Sequence, residues 1–195
     1  EHVGARVLRT DDHDEIRSAD GVIVPGVGAF PEAMRRLRAG DLAGVIAERD
    51  AAGVPVLGIC LGMQLLFERS TELGGAEGLG LLPGEVRALD ARGLKVPQIG
   101  WNAVRWRRRS PLAERLPDPC AFYHVHSFAA VPADPADVVG AAVYGEEFPS
   151  VVARGSLFGV QFHPEKSGDD GLRLLANFVR ICASGAARAE LRSVA

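Results

Sequence analysis

The sequence is short of the residues that build the more conspicuous kinds of site. Its 195 residues include three cysteines, two methionines, two tryptophans and two tyrosines. Cys60, Cys120 and Cys182 are too few and too scattered for a disulfide framework, and no close Cys or His pairs accompany them as a zinc site requires. This sparse usage fits a reducing cytoplasm. No apolar run approaches the roughly 18 residues of a membrane span, and the N-terminus has no basic-then-apolar leader, so a soluble cytoplasmic chain is expected. An excess of one charge is also missing. Twenty-two Lys and Arg face 25 Asp and Glu, a net charge of -3, which gives no long-range attraction for nucleic acid or an acidic membrane. The longest basic stretch, Arg105-Trp106-Arg107-Arg108-Arg109, reads as an edge strand guarded by charge.

What is present is a chain 47% hydrophobic, enough for one globular domain spanning 1–195. Valine-rich runs at Ala5 to Leu8, Gly21 to Val24 and Val54 to Ile59 read as strands. The last two lack polar alternation, as strands covered on both faces do, which predicts parallel pairing. Between them, Pro31 to Ala52 reads as two short crossing helices broken at Gly40. Beyond Phe67 a glycine-rich loop leads to strands at Glu85 to Leu89, Leu94 to Gln98 and Ala103 to Arg107. Further strands follow at Cys120 to Val125, Val138 to Tyr144, Val151 to Arg154 and Leu157 to Phe162, the last two joined by a hairpin at Gly155-Ser156. Here the sheet is expected to be mixed or antiparallel. A closing helix from Asp169 to Ser184 carries one apolar face through Leu172, Leu175, Phe178, Val179 and Cys182, with Gly185 as its stop.

Three strings carry chemistry. In Val54-Pro55-Val56-Leu57-Gly58-Ile59-Cys60-Leu61-Gly62-Met63-Gln64 a buried strand turns sharply into a helix around a cysteine flanked by Gly58 and Gly62. A nucleophile elbow needs small residues at those positions, and a helix N-terminus lowers the pKa of a thiol placed there. Read alone, Cys60 fits a small buried hydrophobe equally well. In Gly159-Val160-Gln161-Phe162-His163-Pro164-Glu165 a strand ends on His163, with Glu165 two residues on and pointing the same way. A carboxylate in that place fixes the imidazole tautomer and stabilises the imidazolium formed when it accepts a thiol proton. In Val22-Ile23-Val24-Pro25-Gly26-Val27-Gly28-Ala29-Phe30 a strand runs into a loop that can aim N–H groups at a developing oxyanion, or be an ordinary strand-to-helix turn. A dinucleotide fingerprint is not satisfied, because no third glycine follows at the required offset.

Together the three strings resemble the triad-type (class I) glutamine amidotransferases, across nearly the whole chain. Lys95-Val96-Pro97-Gln98-Ile99-Gly100-Trp101-Asn102, Pro25 to Phe30 and His163 to Ser167 are similar to the glutaminase subunits of imidazole glycerol phosphate synthases, although the position of Gln98 is often histidine there. The resemblance implies an α/β three-layer sandwich with a mixed, largely parallel central sheet. It implies that Cys60 attacks the glutamine side-chain amide, that His163 shuttles the proton with Glu165 behind it, and that water releases glutamate from a thioester. Gly26, Val27, Gly28 and the N–H of Leu61 form the oxyanion hole, the loop turning into place when a partner is engaged. Gln64, His126 and Ser127 hold glutamine. Trp101, Asn102, Tyr123 and Lys166 match positions at or near the interface with a (β/α)8-barrel cyclase subunit. That subunit takes ammonia directly and yields imidazole glycerol phosphate and aminoimidazole carboxamide ribonucleotide. No metal or organic cofactor is implied.

Rival readings share parts of this set. An anthranilate-type or pyridoxal-phosphate-type glutaminase has the same triad and another acceptor, and only the Pro97 to Asn102 string separates them. A stand-alone cysteine hydrolase and a non-catalytic partner-binding relative are the readings from other classes. The chain starts at Glu1 without methionine, and Glu1 to Gly4 reads as the stub of a helix. By the resemblance, a first strand, a glycine-rich turn and a first helix precede that point, so an N-terminally truncated form is expected.

Overall fold

The computed structural model describes residues 3–193. The first half runs α1 (His13–Ser18), β1 (Val22–Gly26), α2 (Phe30–Ala39), α3 (Leu42–Ala51), β2 (Val56–Cys60), α4 (Leu61–Leu65), β3 (Phe67–Ser70), β4 (Ala76–Glu77) and β5 (Leu82–Ala88). The second half runs β6 (Gln98–Trp106), β7 (Cys120–His126), β8 (Phe128–Pro132), β9 (Val138–Tyr144), β10 (Glu146–Arg154), β11 (Leu157–Val160) and α5 (Gly168–Ser193).

Seven strands make the central sheet in the order β1-β2-β11-β10-β9-β6-β7, and a second sheet of four has the order β4-β3-β5-β8. This is an α/β fold with a mixed sheet. β1, β2 and β11 are parallel neighbours, and the ladders from β11 to β10, β9, β6 and β7 are antiparallel. The division follows the sequence pattern. β2 is apolar on both faces: Val56 packs into one core with Phe30, Met34 and Ile46 of α2 and α3, while the next residue, Leu57, packs into the other with Leu174 and Phe178 of α5. Neighbouring residues of a strand point to opposite faces, so a strand feeding two cores must be covered on both. Leu157 and Phe158 of β11 divide between the cores in the same way.

Several expected elements differ. Ala5 to Leu8 joins no ladder: β1 is the last strand on that side among the described residues, and Val7 and Leu8 are exposed. Valines alone do not make a strand without a partner to take their N–H and C=O groups. Glu1 and His2 of the expected helix stub lie outside the described residues, and Gly4 turns with φ +80. Leu94 to Pro97 is loop, with β6 starting at Gln98 and reaching Trp106. The arginine stretch does not guard an edge, because β6 lies between β9 and β7. Arg107 pairs with Glu147, and Arg108 donates to the carbonyls of Ala136 and Ala153. The last helix runs through Gly185 to Ser193, because Gly185 keeps helical backbone and packs beside the Pro55 ring rather than turning left-handed. Unanticipated were α1, capped by the Asp12 carboxylate accepting from the N–H groups of Asp14 and Glu15 at 2.9 Å, and the strands β3, β4 and β8.

Candidate active site

Parallel pairing brings the three chemical strings to one sheet edge. Gly26 at the end of β1 sits opposite Cys60 at the end of β2, and Val160 at the end of β11 sits opposite Ile59. Gln161 therefore leaves β11 beside Cys60, and His163 follows two residues later. The carboxyl ends of parallel strands are where α/β sheets place their sites.

Cys60 occupies φ 54 and ψ -114, a backbone conformation unusual for any residue with a Cβ. Such strain persists where the surroundings over-determine it. Here the two glycines do so. A Cβ on Gly58 would stand 2.6 Å from the carbonyl oxygen of Gly62 and 2.6 Å from Met63 Cα, and a Cβ on Gly62 would overlap the Val24 carbonyl. The elbow is thus wedged between β1 and the start of α4, as its glycines predict.

The thiol does not behave as a helix-activated group. Burial pushes the Cys60 pKa up, against the lowering influence of the Leu61 N–H, and this outweighs the terminus of a helix of only five residues. The thiol donates to the carbonyl of Val125 at 3.7 Å. Among the described residues no hydrogen bond joins it to His163.

His163 is buried and its Nδ1 bonds to Glu165 Oε1 at 2.8 Å, which leaves Nε2 as the nitrogen able to take a proton. Its backbone is held as well: its N–H donates to the Tyr123 carbonyl at 2.9 Å, and its carbonyl accepts from Ser167 Oγ at 2.6 Å. In the Gly26 to Gly28 loop, Gly28 has φ +99 and Val27 is exposed. Among the described residues no hydrogen bond engages the N–H groups of Val27 and Gly28.

Of the residues expected to hold glutamine, Gln64 is buried and its Nε2 donates to the Phe128 carbonyl and to Gln161 Oε1, each at 3.0 Å. His126 is placed differently from a ligand-binding side chain. Burial lowers its pKa to about 4; on the neutral ring Nδ1–H donates to the Phe128 carbonyl at 2.8 Å, and Nε2, 2.9 Å from the side-chain amide of Gln98, accepts from the NH2 end of that amide. Both nitrogens are spoken for, so the ring braces the turn that presents Ser127. Ser127 itself is partly exposed.

Trp101 and Tyr123 face each other across β6 and β7 with ring centroids 6.2 Å apart, and the Trp101 ring reaches to the position of Gly168, two residues past the exposed Lys166. With Ile99, also exposed, they form an apolar patch beside His163. Asn102 alternates to the other face, where its amide donates to the Val143 carbonyl at 2.9 Å. A cavity of about 560 Å³ lies elsewhere, lined by Trp106 to Glu114 at the far end of β6. The site is therefore recognised by its chemistry rather than by concavity.

Two groups in this network were not anticipated. The Val125 carbonyl carries no sequence signal. Gln161 does carry one, as the single amide in the apolar run Leu157 to Phe162. Among the described residues no group of three or more His, Cys, Asp or Glu side chains is arranged to hold a metal, and no helix is long and apolar enough to cross a membrane.

A thiol on an elbow, an imidazole paired with a carboxylate and a glycine-containing loop meet at the carboxyl ends of three parallel strands, residue types of the kind cysteine-dependent acyl transfer uses. The chain belongs to the glutamine amidotransferase class-I family, whose sequence model matches residues 2–182. It is 52% identical over 177 residues to imidazole glycerol phosphate synthase subunit HisH of Bacillus cereus strain G9842, covering 91% of this chain and 84% of that protein. It is also 52% identical over 178 residues to the HisH subunit of Moorella thermoacetica, with the same coverage. Among solved structures, a glutamine amidotransferase superposes with a TM-score of 0.72 at 16% identity over 93% of this chain and 89% of that one. A glutamine amidotransferase from Thermotoga maritima superposes with a TM-score of 0.62 at 17% identity over 92% and 82%. At such identities the structures speak for the fold alone.

Proposed function

We propose that this chain is the glutaminase subunit of an imidazole glycerol phosphate synthase, which hydrolyses glutamine and passes the ammonia to a (β/α)8-barrel cyclase subunit. The observation that carries the proposal is the shared sheet edge of Cys60 and the His163–Glu165 pair, in a sequence half identical to HisH subunits. Cys60 Sγ attacks the side-chain carbonyl carbon of glutamine while His163 Nε2 takes the thiol proton. The tetrahedral oxyanion is received by the N–H groups of Leu61 and of the Val27 to Gly28 loop. His163 returns the proton to the departing nitrogen as the C–N bond breaks, leaving a thioester and ammonia. Water, deprotonated by His163, opens the thioester to glutamate and restores the thiol.

Gln64 and the Ser127 turn hold the amino-acid end of glutamine. The patch of Trp101, Tyr123 and Lys166 faces the cyclase; Asn102 supports it from behind by tying β6 to β9. Direct delivery matters because ammonia released into water is protonated and loses its nucleophilicity. Neither step calls for a metal or an organic cofactor, and the complex works in the cytoplasm.

The test is Cys60→Ala in the assembled synthase. Synthesis from glutamine should disappear while synthesis from added ammonium salt continues at the parent rate. Loss of both would refute the assignment of Cys60, and stimulation of the glutaminase only by an unrelated acceptor enzyme would refute the choice of partner.

A further inference from the structure

A fully buried glutamine just past the end of a strand needs a reason, since an amide taken out of water is costly unless both ends are hydrogen-bonded. Gln161 is completely buried, and its backbone N–H donates to the Ser150 carbonyl at 2.9 Å. Its side chain bridges two parts of the site: Oε1 accepts from Gln64 Nε2 at 3.0 Å, and Nε2 lies 3.9 Å from Cys60 Sγ.

We infer that Gln161 is a positioning residue that ties the nucleophile to the glutamine-holding amide, giving the thiolate a fixed donor and Gln64 a fixed orientation. This rests on the reading of Cys60 as the nucleophile. With both Gln64 N–H groups engaged, by Phe128 and by Gln161, only its Oε1 is left to meet a ligand. That amide can only accept, which suits the ammonium of an amino acid. Without Gln161 only the bond to the Phe128 carbonyl holds that orientation.

At the sulfur, Gln161 and the Val125 carbonyl act in opposite senses. While the proton is present, S–H donates to Val125 and sulfur accepts from Gln161. Once the proton leaves, the Val125 carbonyl faces a negative sulfur and repels it, whereas the bond from Gln161 becomes charge-assisted and stronger. Gln161 thus restrains the thiolate where the thiol stood, beside the amide that holds the substrate. Its influence on the thiol pKa is downward, with the Leu61 N–H, against the larger effect of burial.

The experiment follows the pH dependence of Cys60 alkylation by iodoacetamide in the full chain, read at the Cys60 peptide by mass spectrometry so that Cys120 and Cys182 do not contribute. Gln161→Met keeps the length and loses the donor, and Gln161→Glu keeps the shape and reverses its sense. The midpoint should rise by about one pH unit in the methionine variant, the scale of a lost hydrogen bond to a charged group, and further in the glutamate variant. The KM for glutamine should rise in both. Cooperatively melting variants with the parent's midpoint would overturn the inference. A measurement without substitution stands beside it: the Gln161 side-chain amide resonances of the parent should titrate with the Cys60 midpoint, and resonances that do not move would overturn it equally. If alkylating parent Cys60 leaves glutaminase activity intact, the nucleophile reading falls and this inference with it. If activity is lost while the midpoints coincide, only the role of Gln161 falls.

Discussion

Replacing Gly58 by alanine adds one methyl group where the backbone of α4 already stands. The new Cβ would lie 2.6 Å from the Gly62 carbonyl oxygen, Met63 N and Met63 Cα, against the 3.4 Å at which ordinary contact begins. All three neighbours are backbone, so no side chain can rotate away, and the elbow has to retreat from β2 by about 0.8 Å, the difference of those distances. Gly58 has no left-handed φ, so the cost is steric. Overpacking of this kind costs about 3 kcal/mol, which for a chain of this length lowers Tm by about 6–12 °C. Activity should suffer more, because Cys60 is two residues away and a misplacement of about 1 Å costs on the order of 100-fold in rate. The assay pairs thermal melts with the glutaminase rate in the assembled synthase. Gly53→Ala is the control: Gly53 has φ +75 but nothing within 4 Å of its would-be Cβ, so it should lose about 1–2 kcal/mol from backbone strain alone and keep its rate. A Gly58→Ala variant melting within 2 °C of the parent, with a rate within about twofold, would refute the wedged elbow.

Acid should destabilise the fold through two buried imidazoles. Burial lowers the pKa of His124 to about 3 and of His126 to about 4, both below their unfolded value. Their contribution is complete above about pH 6.5 and is lost as pH falls toward the folded values, because the unfolded chain binds the extra protons. Denaturant titrations between pH 6 and 4 should show unfolding free energy falling by up to about 1.4 kcal/mol per pH unit for each histidine, and His124→Gln should remove one of the two protons from that slope. A slope unchanged by His124→Gln would show that His124 is not the group titrating. At the proposed partner face, Trp101 is 58% exposed and stacks edge-on against Tyr123. Trp101→Ala should weaken association with the cyclase at least tenfold by calorimetry while leaving Tm within about 2 °C; unchanged affinity would place the interface elsewhere.

Local sequence carried the elbow, and the reason is steric: only glycine fits at positions 58 and 62, so the Gly-x-Cys-x-Gly string already implies a tight strand-to-helix turn at Cys60. It carried the His163–Glu165 pairing but not its cause: the chain is not extended there, and a 3-10 turn over Pro164–Lys166 brings the Glu165 carboxylate to His163 Nδ1. It also carried the strands that feed two cores, since Val54 to Ile59 shows no polar alternation. Other features depended on what lies across space. Among the described residues Ala5 to Leu8 has strand-like residues but no partner strand beside it, and β3 and β8 are short segments defined by their ladders to β5, with β4 added on the edge of β3. The direction of the Cys60 pKa was read wrongly from the helix terminus, because the balance between a few N–H groups and burial is set by everything packed around the sulfur. The bridge from Gln64 through Gln161 to Cys60, and the His126–Gln98 pair that occupies a ring expected to bind substrate, join residues far apart in the chain. Periodicity and turn chemistry report what each segment does to its own backbone; which buried polar groups find one another is decided only when the strands take their order and register.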